Sequence, residues 1–418
     1  MDPLLAFVIT LALITVLGLK YRIAPFFTLI GGALLFGILT GLDPDTIILA
    51  ITAGLGRIFG IFGIVILSGA VIARLLAKQN QIEIIVSDIR RFTRNPPVLA
   101  GASGYILAVP VTCCITAFVM LAPLASHFRK DEGARKNLIY ITALGTLFSF
   151  AFLYPTPVTL PLVSLFSSGI SPLYYDALAI PVSLLLLAGV ILFYRFFYQE
   201  NGQDAGYDEP DGIDSGEGSH VRAWLPVLTI LLAIPAGFLV GLSHAALIQF
   251  IMLAGAACAI ILAPQGVRLE GLSQGAKHAG VIIFDICGAG ALGYVIVQGG
   301  FAAGVLSGVE GVIPALCIPF IVAALIQTAQ GSRVVTAVLT GEIISGTALS
   351  TILHPLTLIL MIAAGTCVIS YITDPYFWLI QRTTGDGIGV VVRKYTFPLA
   401  MAGLAVFLIA AGIQIFLF

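Results

Sequence analysis

AGLGRIFGIFGIVILSGAVIARLL, residues 53–76, and QGAKHAGVIIFDICGAGALGYVIV, residues 274–297, decide the fold of this chain when laid side by side. An offset of 221 residues carries Gly54 onto Gly275 and Gly69 onto Gly290. Further along, Thr156-Pro157 meets Asp374-Pro375 at an offset of 218. Two halves that repeat, with polar breaks at matching places in apolar segments, are the build of a secondary transporter whose substrate sits between the halves. Identity between the halves is low, and the order of features carries the repeat.

Composition agrees. With 59% hydrophobic and 10% charged residues and a mean hydropathy of +1.07, the chain has too little polar surface to face water on all sides. It reads as an all-α polytopic membrane protein. A net charge of −1 gives no general attraction to nucleic acid. Cys113, Cys114, Cys258, Cys287, Cys317 and Cys367 lie in apolar runs without a CxxC pair, as packing residues rather than disulfides or metal ligands. No HExxH, GxSxG or Walker pattern supplies enzyme chemistry. Residues 4–19 lack a basic leader and a cleavage site, and are expected to stay as a first span. The 45 glycines and 21 prolines permit close helix packing and broken helices, provided the freed backbone faces protein or a wet cavity.

Spans are expected at residues 4–19, 24–41, 54–77, 138–168 and 174–198, and again at 223–241, 244–263, 276–300, 354–384 and 395–417. The fourth of each set, 138–168 and 354–384, is a broken helix. Residues 97–126 and 310–345 are apolar with Pro, Gly, Ser and Thr near the middle, which suits re-entrant hairpins. Basic residues choose the topology. Lys20 and Arg22 follow the first span; Arg74, Lys78, Arg90, Arg91 and Arg94 follow the third; Arg129, Lys130, Arg135 and Lys136 follow the first hairpin. In the second half, Arg268 and Lys277 precede the third span, and Arg382, Arg393 and Lys394 precede the last. All reach the cytoplasm only if each hairpin returns to its own side, leaving five crossings per half. Five is odd, so the repeats, 1–198 and 223–418, are inverted, with both termini extracytoplasmic and the protein multi-pass in the cell membrane.

Residues 199–222 are expected to join the repeats as a flexible acidic cytoplasmic linker, with Asp204, Asp208, Glu209, Asp211, Asp214 and Glu217 among Gly and Ser. Residues 79–95 put Ile82, Ile85 and Ile89 on one helix face, as an interfacial arm would.

Four polar breaks could hold chemistry. The first hairpin turns at VPVTCCIT, with Pro110, Thr112 and Thr116, and the fourth span breaks at YPTPVT, with Thr156 and Thr159. Prolines one residue apart remove backbone donors and stop continuous helix. The second hairpin turns at QTAQGSRVVT, with Gln330, Gly331, Ser332 and Arg333, and its broken span at SYITDPYFW, with Thr373 and Asp374. Half-helix N-termini suit anions, and unwound carbonyls suit cations. A charge at bilayer depth costs about 3 kcal/mol or more, so Arg333 and Asp374 need partners. Arg333 either holds a substrate carboxylate in its guanidinium fork or pairs with Asp374 or Asp285. Asp374 takes up the coupling cation, caps the half-helix beginning at Pro375, or does both. Asp285, in mid-span, is a second coupling candidate. Glu342 and His354 flank the turn after the second hairpin and are expected to be exposed.

At these residues the chain resembles the gluconate permease (GntP) family of the ion-transporter superfamily. The similarity rests on AQGS at 329–332, DPYFWL at 374–379, PLAS at 123–126 and FLYPTPVT at 152–159, in order along nearly the whole chain. It implies two inverted repeats, each with a hairpin and a broken helix, and proton-coupled symport of gluconate or a related sugar acid. It also implies a homodimer joined through scaffold domains, with an elevator motion of the substrate domain. Three positions depart from the family. No acid lies between Thr112 and Thr116 where the family has a Glu, Thr156 replaces a His, and Arg333 replaces a small residue. These changes remove two proton or polyol contacts and add a positive charge, which shifts the expectation from gluconate itself toward other small carboxylates.

The expected protein is therefore a secondary active transporter for a small organic anion, driven by H⁺ rather than Na⁺ and without a cofactor. Thr112, Thr116, Thr156, Thr159, Gln330, Gly331, Ser332, Arg333 and Thr373 would form the substrate site, and Asp374 and Asp285 the coupling site. Its partners would be the anion and the lipid bilayer. The rival is a cation/proton antiporter without an organic substrate, exchanging at Asp374 and Asp285.

Overall fold

The computed structural model describes residues 1–21, 23–93, 95–126, 131–166, 170–198, 220–242, 244–301, 314–371 and 374–418, which are helical with no strand among them. The first half forms α1 (Pro3–Leu19), α2 (Pro25–Thr40), α3 (Pro44–Lys78), α4 (Gln81–Phe92), α5 (Pro96–Val111), α6 (Cys114–Ser126), α7 (Glu132–Phe152), α8 (Thr159–Phe166) and α9 (Pro172–Phe197). The second forms α10 (His220–Leu239), α11 (His244–Leu262), α12 (Gln265–Gln298), α13 (Ile318–Gln330), α14 (Arg333–Ser345), α15 (Pro355–Gly365), α16 (Pro375–Thr384) and α17 (Ile388–Leu417). Proline stands in the first turn of α1, α2, α3, α5, α9, α13, α15 and α16, where its missing N–H is no loss. Side chains of Asp2, Asp43, Asn95, Asp131, Ser171, Ser332 and Asp374 accept from the free N–H groups of the helices they precede.

The two stretches that carry the repeat fold into the longest helices, α3 with 35 residues and α12 with 34. Each is about 50 Å long, well beyond a hydrocarbon core of about 30 Å. A Cβ on Gly54 would lie 2.5 Å from the Gly290 carbonyl oxygen, and one on Gly275 would lie 2.9 Å from the Val71 backbone. Only glycine permits that approach. Gly54 thus faces Gly290, Val71 faces Gly275 and Leu75 faces Gly271, so α3 and α12 run antiparallel. With α1, α2, α10 and α11 they make one group.

The remaining helices, α5 to α9 and α13 to α17, pack on one another, and α14 also lies along α12 and so joins the two groups. Here too glycines set the spacing. Gly145 of α7 lies against the Gly101 carbonyl of α5, and a Cβ on Gly365 of α15 would lie 2.6 Å from the Phe320 carbonyl of α13. The amphipathic α4 buries Ile82, Ile85 and Ile89, and its Asp88 accepts from Trp224 Nε1 of α10 at 2.9 Å.

Several boundaries differ from the sequence expectation. α7 starts at Glu132 instead of 138, because Asp131 caps it by accepting from Ala134 N at 2.7 Å. α10 starts at His220, inside the segment expected as linker, and residues 199–219 lie outside the described residues. So do residues 302–313, at the expected start of the second hairpin, whose described part opens with a 3-10 turn at Ala315–Cys317. Among the described residues, five helices are long and apolar enough to cross a membrane: Pro44–Lys78, Pro172–Phe197, His220–Gly237, Gln265–Gln298 and Ile388–Leu417. Leu5, Val8, Leu185, Phe196 and Leu232 are exposed on the outside of the bundle, as lipid-facing residues are. This is a multi-pass membrane protein.

Candidate functional site

Both hairpins turn through a single residue in the left-handed region. α5 ends at Thr112 with φ +53°, and α13 ends at Gly331 with φ +69°. A side chain in that region costs about 1–2 kcal/mol. Thr112 is held there against Gly69 of α3, where a Cβ would collide with its hydroxyl. Thr116, in the first turn of α6, lies 3.1 Å from His278 Nε2 of α12. The second turn is braced by Thr336 Oγ1, which donates to Gln327 Oε1 at 2.9 Å. Thr373 and the side chain of Gln330 lie outside the described residues.

The second helix break brings its charges together. Asp374 caps α16, with Oδ1 accepting from Tyr376 N at 2.8 Å, while Oδ2 accepts from Arg333 Nη2 at 2.9 Å. The same nitrogen donates to Ser370 Oγ at 2.9 Å and Tyr395 OH at 3.0 Å. Ser370 Oγ also bonds Asp374 Oδ2, and Thr396 Oγ1 donates to the Ser370 carbonyl at 2.6 Å. Arg333 is 4% exposed and Asp374 1%. Such a pair tolerates burial because each charge meets its opposite and further hydrogen bonds support both. Of the two pairings open to Arg333 from sequence, the structure shows Asp374.

Two buried donors at this hairpin tip have no partner among the described residues: Arg333 Nε and Gln327 Nε2. Leaving a buried donor unmade costs about 1–3 kcal/mol. An incoming acceptor, such as a carboxylate, would recover that cost.

The first break holds no ion pair among the described residues, and its polar groups are satisfied by its own threonines and by the start of α9. Thr159 Oγ1 donates to the Leu153 carbonyl at 2.7 Å and lies 3.1 Å from Thr156 Oγ1. Tyr175 OH donates to the Phe152 carbonyl at 2.8 Å, and Asp176 Oδ1 accepts from Tyr154 N at 2.9 Å. Thr156 and Thr159 are fully buried.

Asp285 stands elsewhere. It accepts from Phe26 N at 3.1 Å, capping α2, whose own N-cap residue Ala24 has no acceptor. Glu342 corrects the expectation of exposure. It is 3% exposed, because α14 packs on α12 where Gly293 leaves room, and its Oε2 meets Arg57 Nη1 of α3 at 3.1 Å. His354 caps α15 and is half-buried. Sequence reasoning missed Tyr395, Arg57 and His278. A signal for the first existed, since Tyr395-Thr396 follows Tyr175-Asp176 by 220 residues.

The comparisons with known proteins fit this build. The model of the GntP family permeases matches residues 2–416. The high-affinity gluconate transporter of Escherichia coli (strain K12) is 24% identical over 431 residues, covering 94% of this chain and 95% of its own. The Gnt-II system L-idonate transporter of the same strain is 22% identical over 421 residues, covering 94% and 95%. Among solved structures, the YdaH transporter of Alcanivorax borkumensis superposes with a TM-score of 0.66 at 16% identity, over 94% of this chain and 98% of that one. MtrF of Neisseria gonorrhoeae gives 0.60 at 16% identity, over 88% and 84%. At that identity the two structures speak for the fold alone. The family match spans both hairpin turns and both helix breaks, and on it the chain belongs to the GntP family of permeases, which are membrane transporters and not enzymes.

Proposed function

We propose that the protein is a secondary active transporter that carries a small organic anion of the sugar-acid class, such as gluconate, in symport with H⁺. The observation that supports this most is the buried guanidinium of Arg333 at the meeting of hairpin turn and helix break, with Arg333 Nε and Gln327 Nε2 unpartnered. The relatives named for gluconate and L-idonate supply the substrate class. Charge balance calls for one coupled cation, and a proton on Asp374 supplies it. Arg333 and Asp374 together are neutral, so a carboxylate that joins them leaves one buried negative charge. Protonation of Asp374 removes it, and the substrate carboxylate takes over Arg333. Asp285, as a cap on α2, plays a positioning part in this account.

The two halves act as inverted repeats. Offsets of 219 to 221 relate the left-handed residues Thr112 and Gly331, the packing pairs Gly145–Gly101 and Gly365–Phe320, and the glycines of antiparallel α3 and α12. An elevator, in which the hairpins move against α3 and α12, rests on the family resemblance. A homodimer rests on the family resemblance.

The test is uptake of labelled gluconate into proteoliposomes under an imposed pH gradient or an imposed Na⁺ gradient, with L-idonate and dicarboxylates as competitors. Accumulation driven by the pH gradient alone, and competed by sugar acids, is expected. Accumulation that needs Na⁺, or cation exchange with no organic substrate, would overturn the reading.

A further inference from the structure

Glu342 is the buried acid that the transport account leaves unused. Its carboxylate sits on α14 of the second hairpin, and its ion-pair partner Arg57 belongs to α3, 3.1 Å away. Among the described residues, the other elements packed on α14 bring no second charge to Glu342. α12 presents Gly293, followed by Tyr294; α8 presents Leu162 and Leu165 against Gly341; α13 and α15 carry no charged residue. On α14 itself Arg333 is held by Asp374, and on α12 Asp285 is held by Phe26 N.

The two partners are unequally buried. The Arg57 side chain is 43% exposed and that of Glu342 is 4% exposed. If hairpin and α3 part, the half-exposed Arg57 changes its surroundings less than Glu342, which is left charged without a partner in an apolar seam. A buried carboxylate in that position is disfavoured unless it becomes neutral. Separation is therefore tied to uptake of one proton by Glu342, and the charged pair resists separation.

We propose that Arg57–Glu342 is a proton-released latch between α3 and the second hairpin, which sets the pH dependence of the conformational step without itself carrying the coupling proton. The proposal rests on the reading that the hairpins move against α3 and α12 during transport. A carboxylate loses its charge as pH falls, so the latch is closed at alkaline pH and released at acid pH. Glu342→Gln, a neutral replacement of the same shape, mimics the released form.

Two measurements test it. Gluconate counterflow in proteoliposomes, at equal pH on both sides, should be several-fold faster in Glu342→Gln than in wild type at about pH 8. The two rates should converge towards about pH 5.5, and Glu342→Asp should restore wild-type behaviour. A Glu342→Gln protein that exchanges at the wild-type rate or slower at about pH 8 would overturn the latch. Hydrogen–deuterium exchange of residues 333–345 at alkaline pH reads the latch without substrate. Faster exchange is expected in both Glu342→Gln and Arg57→Gln, and unchanged exchange in both overturns it. If wild type shows no gluconate counterflow, the substrate reading fails, while the exchange measurement still decides the latch. If Glu342→Gln does not fold, Arg57→Gln, altered on the half-exposed partner, decides it alone.

Discussion

The two helix breaks are built by one device and filled with different chemistry. In each half the last helix supplies a tyrosine and the residue after it to the unwound chain. Tyr175 and Asp176 serve the Phe152 carbonyl and Tyr154 N, and Tyr395 and Thr396 serve Ser370. At the first break the threonine hydroxyls spend their bonding capacity on the break itself. At the second an ion pair occupies the equivalent place, since Asp374 corresponds to Thr156 and Arg333, at the offset of the hairpin turns, to Cys114. A break satisfied from within is a rigid joint. A break whose charged group still has a free donor is a place to bind.

The largest test of this contrast is Arg333→Leu. It leaves Asp374 buried without its counter-charge and should destabilise the purified protein by about 3–5 kcal/mol in thermal or denaturant unfolding. The Arg333→Leu/Asp374→Leu double variant should recover much of that loss, because no charge is left unpaired. A double variant as unstable as the single would show that the second break depends on more than the pair.

Equivalent tyrosines sharpen the contrast. Tyr395→Phe removes a bond to a charged group and should cost about 1.5–3 kcal/mol, whereas Tyr175→Phe removes a bond to a neutral carbonyl and should cost about 0.5–1.5 kcal/mol. Equal losses would mean the two breaks are energetically alike. Thr159→Val, which strips the Leu153 carbonyl of its hydroxyl donor, should cost about 1 kcal/mol and leave ligand affinity unchanged. A loss of affinity would return Thr159 to the substrate site.

The smallest effect lies outside both breaks and serves as their baseline. Thr46 donates to Asp43 through N at 2.9 Å and Oγ1 at 2.6 Å, which holds the Asp43 carboxyl below its usual 3.8. A lowered carboxyl pKa contributes stability above the unfolded value and loses it as pH falls through the folded one. Thr46→Val should therefore lower the melting temperature slightly at neutral pH, with the gap closing below about pH 4. A gap that persists in acid would assign the effect to packing.

Much of the build is legible in the sequence because it is local. Gly331 before Ser332, Pro110 before Thr112 and Asp374 before Pro375 each combine a stop with a start, and the turns and the α16 cap fall there. The paired glycines mark the helix crossing because close backbone contact excludes every other residue. What stays hidden is set by partners distant in sequence. Glu342 sits beside a turn, yet Gly293 and Arg57, contributed by α12 and α3, bury and pair it. Asp285 has the composition of a coupling acid and the surroundings of a cap, since Phe26 lies 259 residues away. Tyr395 reads as one aromatic among many until it is compared with Tyr175.

The most direct measurement is ligand-induced thermal stabilisation of purified wild type, Gln327→Leu and Thr159→Val by gluconate. Gln327→Leu removes the orphaned donor at the second hairpin turn, and Thr159→Val alters only the first break. A ligand at 100 times its Kd stabilises by about 2.7 kcal/mol, which such a shift resolves. The account predicts that stabilisation is lost in Gln327→Leu and kept in Thr159→Val. Stabilisation kept in the first and lost in the second would place the anion at the first break and contradict it.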